Sequence, residues 1–226
     1  KLKHLRIWNS VKYTSDFNVD LINHIVIPDL YSLIQQNLLI FDNFTLSNFN
    51  SNTTITNNII NKINGNAGWD ASVHSNESYS GSAYLKFKLL RVDNHIMIGF
   101  NTDPLTSDHY NTIDYLIYLN LQQPINIGTP GNYASTTLSL ITPNIGDIFE
   151  LIYSDTTIKY YQNSILIHTT TNVLRNYIFY LDTSIHNVSF HNIEILEFSK
   201  LNFDSSLSDY LPPVSENLLL YIPMNS

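Results

Sequence analysis

The stretch DIFELIYSDTTIKYYQNSILIHTTT, residues 147–171, constrains the fold of this chain more than any other. Phe149, Leu151 and Tyr153 alternate with Ile148, Glu150 and Ile152, the two-residue period of a strand whose side chains point to opposite faces. Ser154-Asp155-Thr156 supplies a polar turn, and Ile158 and Tyr160 then alternate with Lys159 and Tyr161. Asn163-Ser164 follows as a second turn, because asparagine tolerates the positive φ that a two-residue hairpin loop demands. Ile165 and Ile167 continue the meander.

The same alternation recurs along the chain. Ala83, Leu85, Phe87 and Leu89 interleave with Tyr84, Lys86 and Lys88, so one face is buried and the other wet. Val92-Asp93-Asn94 turns the chain, and Ile96, Ile98 and Phe100 form the buried side of the next strand, which predicts an antiparallel hairpin. Residues 113–120, IDYLIYLN, are apolar on both faces, as suits a central strand or one whose outer face lines a groove. Further strands are predicted at 69–74, 124–128, 138–141 and 177–182. Val188 and Phe190 differ in parity from Ile193 and Ile195, which a bulge near His191-Asn192 reconciles. Toward the ends, 5–9 and 218–222 read as apolar strands, 38–41 as a strand or helix end, and 28–37 as the one short helix, opened by Pro28. Many short strands, regular turns and little helix imply two packed antiparallel sheets, with a closed barrel as the alternative.

Composition narrows the function. Among 226 residues only 13% are charged while 43% are hydrophobic, enough for a substantial core without metal or disulfide help. A net charge of −8, with Lys and Arg in no dense run, argues against neutralising nucleic-acid phosphates. Without cysteine there are neither disulfides nor thiolate metal sites. No apolar run is long enough to cross a bilayer. Asn43, Asn52, Asn76 and Asn187 each open an Asn-x-Ser/Thr triplet, which a chain this rich in Asn and Thr also produces by chance.

GWDASVHSNESYSGSAYLKFKL, then HIMIGFNTDP and YNTIDYLIYLN, together with the 147–171 meander, resemble the concanavalin A-like (laminin G/lectin-like) jelly-roll domains of giant-virus and phage tail proteins. The resemblance covers roughly residues 41–198. It implies an all-β, two-sheet antiparallel jelly-roll sandwich with at most one short helix. It further implies a sandwich at 38–199. On that reading 1–37 ends a preceding laminin G-like domain, and 200–226 holds a Ser/Pro linker with the first strand of a following one. The fold hosts lectins, glucanases, adhesion modules and inert structural domains, so function must come from a site.

Three kinds of site bear on the residues. Glucanases of this fold aim an E-x-D-x-x-E triplet from one strand into one groove, and this chain has none: Glu77 and Glu150 are isolated, and Glu194 and Glu197 differ in parity unless a bulge intervenes. Calcium needs several converging oxygens, and Asn101, Asp103 and Asp108, with Asp114, form the best candidate set. Ordinary turn roles explain the same residues. Sugars stack on exposed rings, and Trp69, Tyr79, Tyr110, Tyr115 and Tyr118, with Tyr133, are the candidates for a glycan-binding surface. The function expected is a non-enzymatic structural or adhesion domain of a virus particle, a capsid-associated or fibre protein. Its partners would be other virion proteins, copies of itself or host glycans. The alternative is a glycan-binding lectin module of a secreted or surface protein. No cofactor is expected beyond a possible calcium ion, and neither nucleic acid nor membrane insertion.

Overall fold

The structure, a computed structural model, describes residues 39–40, 42–120, 122–173 and 177–203. In chain order the strands begin with β1 (Leu39–Ile40), β2 (Leu46–Asn48), β3 (Thr53–Thr56), β4 (Ile59–Lys62), β5 (Ser72–Ser75), β6 (Tyr79–Ser80), β7 (Ser82–Leu89) and β8 (His95–Asn101). A 3-10 turn, Tyr110–Thr112, precedes β9 (Tyr115–Asn120), β10 (Ile125–Thr129) and β11 (Asn132–Leu138). The remainder are β12 (Ile148–Ser154), β13 (Thr157–Gln162), β14 (Ile165–Thr171), β15 (Ile178–Ile185), β16 (Ser189–Ser199) and β17 (Asn202–Phe203). That 3-10 turn is the only helical element among the described residues, and no helix there is long and apolar enough to cross a membrane. The helix expected at 28–37 and the end strands at 5–9 and 218–222 lie outside the described residues.

Two compact units divide the chain: Phe41–Leu201, and Lys1–Ile40 with Asn202–Ser226. In the second, β1 pairs antiparallel with β17. The first is a sandwich of two antiparallel sheets. One runs β11-β10-β9-β8-β15-β5-β2, with β6 also paired to β15; the other runs β14-β13-β12-β7-β16-β4-β3. The meander at 147–171 is β12, β13 and β14, and its second turn sits at φ 50° for Asn163 and 68° for Ser164, the left-handed pair a two-residue loop requires. Asn163 also ties the turn back, since its Oδ1 accepts from Ile148 N at 2.9 Å and its Nδ2 donates to Asp147 Oδ1 at 2.8 Å.

The predicted β7–β8 hairpin is corrected. β7 pairs with β12 and β16 in one sheet, and β8 pairs with β9 and β15 in the other. Residues 90–94 therefore cross between the layers. The alternation itself holds: Ala83, Leu85, Phe87 and Leu89 are buried, as are Ile96, Ile98 and Phe100. Period two tells which side chains face the core, but two strands that face each other across a core about 10 Å thick show the same pattern as two strands side by side. Rings tie both directions: within one sheet Phe87 stacks on Phe149 of the neighbouring strand at 5.3 Å, and across the core Tyr153 meets Phe179 of the other sheet edge-on at 4.9 Å.

Two bulges shape β16. Its pairing with β4 shifts between Ser189 and Ile193, beside the expected bulge at 191–192. A second shift, between Ile195 and Glu197, places Glu194 opposite Lys88 and Glu197 opposite Lys86. Because of that shift the two glutamates share the outer face of their sheet, contrary to unbroken strand parity.

Candidate functional site

The outer face of the β8–β9 pair carries an apolar floor. Met97 lies opposite Tyr118, and Gly99 opposite Leu116. Leu116 lies flat against β10 because Gly128 has no side chain there; a Cβ on it would stand 2.7 Å from Leu116 Cγ. With Ile113, Met97 and Leu116 form a small buried cluster apart from the main core, and Trp69, Tyr110 and Tyr118 pack over it.

Four rings from four segments meet above this floor. The Trp69 indole is 4.9 Å from Tyr110 and 5.9 Å from Tyr118, centroid to centroid. Tyr133 of β11 closes the set, 5.1 Å from Tyr110 at 83° and 6.1 Å from Tyr118 at 74°. Such tilted and edge-to-face contacts favour the ring quadrupoles. Tyr133 is 45% exposed, and Trp69, Tyr110 and Tyr118 are each partly exposed. Two histidines also stand against the indole, His186 at 5.2 Å and His95 at 6.2 Å, themselves 5.2 Å apart. His95 Nδ1 and the Tyr118 hydroxyl share a hydrogen bond of 2.8 Å. Burial, then the neighbouring His186, pushes His95 below the ordinary histidine pKa. Burial, with Tyr133 and Tyr110 nearby, pushes the Tyr118 hydroxyl up.

Polar contacts hold the segments that carry these rings. The residues around Trp69 are gripped from below: Asn50 Nδ2 and Asn52 Nδ2 both donate to Asp70 O, at 2.9 and 2.8 Å. The same Asn50 amide donates to Asp108 Oδ2 at 2.9 Å, joining this loop to the one bearing Tyr110. Ser184 Oγ donates to Asp108 O at 3.0 Å. Thr102 N and Oγ1 donate to Asp114 Oδ2 at 2.9 and 2.7 Å, closing the base of the Tyr110 loop. Burial raises the Asp114 carboxyl against the pull of those donors. Lys62, fully buried at the end of β4, donates to Asn66 O, Gly68 O, Asp70 Oδ1, Ile185 O and His186 O. Burial pushes the Asp70 carboxyl up, but the Lys62 ammonium outweighs it and holds the group below the usual carboxylate range.

The expected glycan-contact residues divide. Trp69, Tyr110 and Tyr118 come together, and Tyr133 joins them. Tyr115 does not: its ring lies in the main core, 5.8 Å from Phe179 and edge-on to it. Tyr79 stands on β6, packed 5.1 Å from Phe198, and burial with Asp42 and Glu77 nearby pushes its hydroxyl up to about 12. His95 and His186 were not anticipated. The signal for His95 was present, since it shares the outward parity of Met97 in HIMIGF.

The calcium candidates serve separate structural tasks. Asn101 is buried; its Nδ2 donates to Asp182 Oδ2 at 2.7 Å and its Oδ1 accepts from Asp103 N at 3.1 Å. Asp108 is bonded to Asn50, and Asp103 is exposed. No three His, Asp or Glu side chains among the described residues gather as a metal group. On the opposite sheet Glu150 is buried; it accepts from Tyr84 Oη at 2.5 Å and pairs with Lys86 at 3.6 Å. In the register Lys86 stands between Glu150 and Glu197, and burial pushes the Glu197 carboxyl up.

No protein-family model matches the chain, and no curated protein is similar to it in sequence. In structure it is similar to the PSpry domain of TRIM65, with TM-score 0.51 and 9% identity over 73% of this chain and 98% of that one. It is similar to the SPRY domain of human HERC1, with TM-score 0.50 and 14% identity over 69% and 98%. The chain carries a concanavalin A-like jelly-roll sandwich. A further match is stonustoxin, with TM-score 0.50 and 13% identity over 68% of this chain, which spans only 28% of that one. At these identities the likeness is one of fold, and it leaves function to the surface of the concanavalin A-like sandwich.

Proposed function

We propose that this sandwich is a non-enzymatic glycan-binding module and that Trp69, Tyr110, Tyr118 and Tyr133 are its stacking surface. The observation that carries the reading is the gathering of four rings on an outer sheet face, where folding alone calls for polar groups. A pyranose presents an apolar C–H face to such rings and a rim of hydroxyls to polar neighbours. Asp70 and Asp108 lie on the loops that carry Trp69 and Tyr110, the first paired with Lys62 and the second accepting from Asn50. A net charge of −8 favours neutral glycans over sialylated or sulfated ones. Each stacked ring contributes about 1 kcal/mol, so a single sugar binds weakly and a chain of sugars across several rings binds better. Such a module works where glycans are displayed, outside a cell or at its surface. Neither the fold nor its likenesses support the virus-particle reading.

The test is an array of neutral and acidic glycans probed with the purified chain. Binding to neutral glycans is expected, with Trp69→Ala weakening it about tenfold or more and Tyr115→Phe, in the core, leaving it unchanged. An array without signal above background, or one on which Trp69→Ala binds as well as the parent, removes the reading.

A further inference from the structure

We infer that the Lys62 ammonium is the resident cation of a five-oxygen cage that fixes the Trp69 loop, in the part a bound metal ion plays in metal-dependent binding loops. Lys62 is 0% exposed at the last position of β4. Its Nζ lies 3.1 Å from Asn66 O, 2.6 Å from Gly68 O, 3.3 Å from Ile185 O and 2.7 Å from His186 O, and it pairs with the Asp70 carboxylate. An ammonium has three hydrogens, so five acceptors must share them. The oxygens are thus arranged around a charge rather than along three directed bonds.

The cage is built from both sides of the indole. Gly68 O and the Asp70 carboxylate come from the residues that flank Trp69 in the chain. Ile185 O and His186 O come from the end of β15, and the His186 ring is one of those against Trp69. Gly68 N completes the link by donating to His186 O at 3.1 Å. Gly65 lets the chain turn tightly enough for Asp70 to reach inward: it sits at φ +93°, and a Cβ there would stand 2.5 Å from Asp70 Oδ2. Remove the cation and four carbonyl oxygens and a carboxylate face one another with nothing between them, which forces the loop open.

The charge also says which cation fits. One carboxylate and four neutral carbonyls balance a monovalent ion, whereas calcium takes six to eight oxygens. On the glycan-binding reading of the rings, from which this part follows, binding is indifferent to chelators and depends on Lys62.

The experiment needs no glycan. Tryptophan occurs twice in the chain, so Trp8→Phe leaves Trp69 as the sole indole. In the full chain so altered, Lys62→Ala is expected to raise the acrylamide quenching constant of Trp69 about threefold, as a loop released from its anchor samples open states. Ethylammonium chloride, which supplies an N–H donor cation and a short stem, should reverse most of that rise. Tetramethylammonium chloride at the same ionic strength has no N–H donor and should not. A merely structural loss would not separate the two salts. Asp70→Asn keeps Lys62 and removes the cage's negative charge, so it should raise quenching by a smaller amount; it carries the test if Lys62→Ala does not fold. Quenching unchanged in either folded variant, or rescue by both salts alike, overturns the inference. Because the probe is the indole itself, an empty glycan array beside a positive rescue would remove only the glycan reading.

Discussion

Replacing Asp182 by asparagine should abolish one pH-dependent contribution to stability and leave the fold intact. Asp182 is 1% exposed on the outward side of β15, opposite Gly99 and His74. Its Oδ1 accepts from Ser72 Oγ at 3.0 Å and from Thr183 N at 2.7 Å, and its Oδ2 accepts from Asn101 Nδ2 at 2.7 Å. Burial pushes its pKa up to about 7 from 3.8, against the pull of the Asn101, Ser72 and Thr183 donors. Between those two values the native chain holds a proton that the unfolded chain has released. Unfolding then sheds a proton, so this group's contribution to stability is full below pH 3.8, falls as pH rises and is gone above pH 7. Roughly three units at about 1.4 kcal/mol each give about 4 kcal/mol. Asp182→Asn cannot titrate. It turns an amide N–H₂ toward one of the three donors, which costs about 1–3 kcal/mol at every pH. The variant should therefore be the less stable protein at pH 4, and the gap should close or reverse by pH 8. Urea denaturation of both proteins at pH 4, 6 and 8, followed by circular dichroism, measures the difference. His74, His95 and His168, which burial holds below the ordinary histidine pKa, tilt both curves the opposite way, and His95 and His168 do so equally in the two proteins. A difference that stays constant from pH 4 to pH 8 would refute the reasoning.

Gly99→Ala would place a Cβ 1.9 Å from Tyr115 O and 2.7 Å from Leu116 Cα, both backbone of the next strand, and should cost about 3 kcal/mol or more by the same denaturation assay. A loss below about 1 kcal/mol would show that β8 and β9 can part without penalty. Ser164→Gly relieves a left-handed residue at φ 68° in the β13–β14 turn and should stabilise the chain by up to about 1 kcal/mol, seen as a higher urea midpoint.

How much of this was legible depends on which physical constraint does the positioning. The β12–β14 meander could be read strand by strand because each turn residue and each alternation is local. The region 42–66 could not. It reads as a polar tract, yet it holds β2, β3 and β4, and the β3–β4 hairpin turns on Asn57 and Asn58 at φ 50° and 61°. An Asn-Asn pair between TTIT and IINK was the available signal. Tyr115 and Tyr118 illustrate a limit that parity alone could have lifted. They are three residues apart on one strand, so they must point to opposite faces, and only one of them can belong to a surface. Which one depends on the partner strand: Tyr118 lies opposite Met97, whose side is outward, and Tyr115 lies opposite Phe100, whose side is the core.

The rest of the site is held by a kind of interaction that periodicity does not encode. Hydrophobic pattern assigns faces, but the Trp69 loop is placed by backbone carbonyls that must find donors once they leave water. Lys62 follows two isoleucines and an asparagine in a short strand, a position that by pattern could as well be a solvated strand end. Its burial follows from what approaches it in space, since Ile185 O and His186 O lie 123 and 124 residues away along the chain. A charged residue with no sequence neighbour to neutralise it is read as exposed, because an unpaired buried ammonium is prohibitive and its partners are visible only after folding. Asp70 was within reach, eight residues on, but the i to i+8 spacing across an irregular loop carries no geometric expectation of the kind a helix or strand supplies. The rings could be picked out by residue type. The cation that orders them is recognisable only once the carbonyls have been counted.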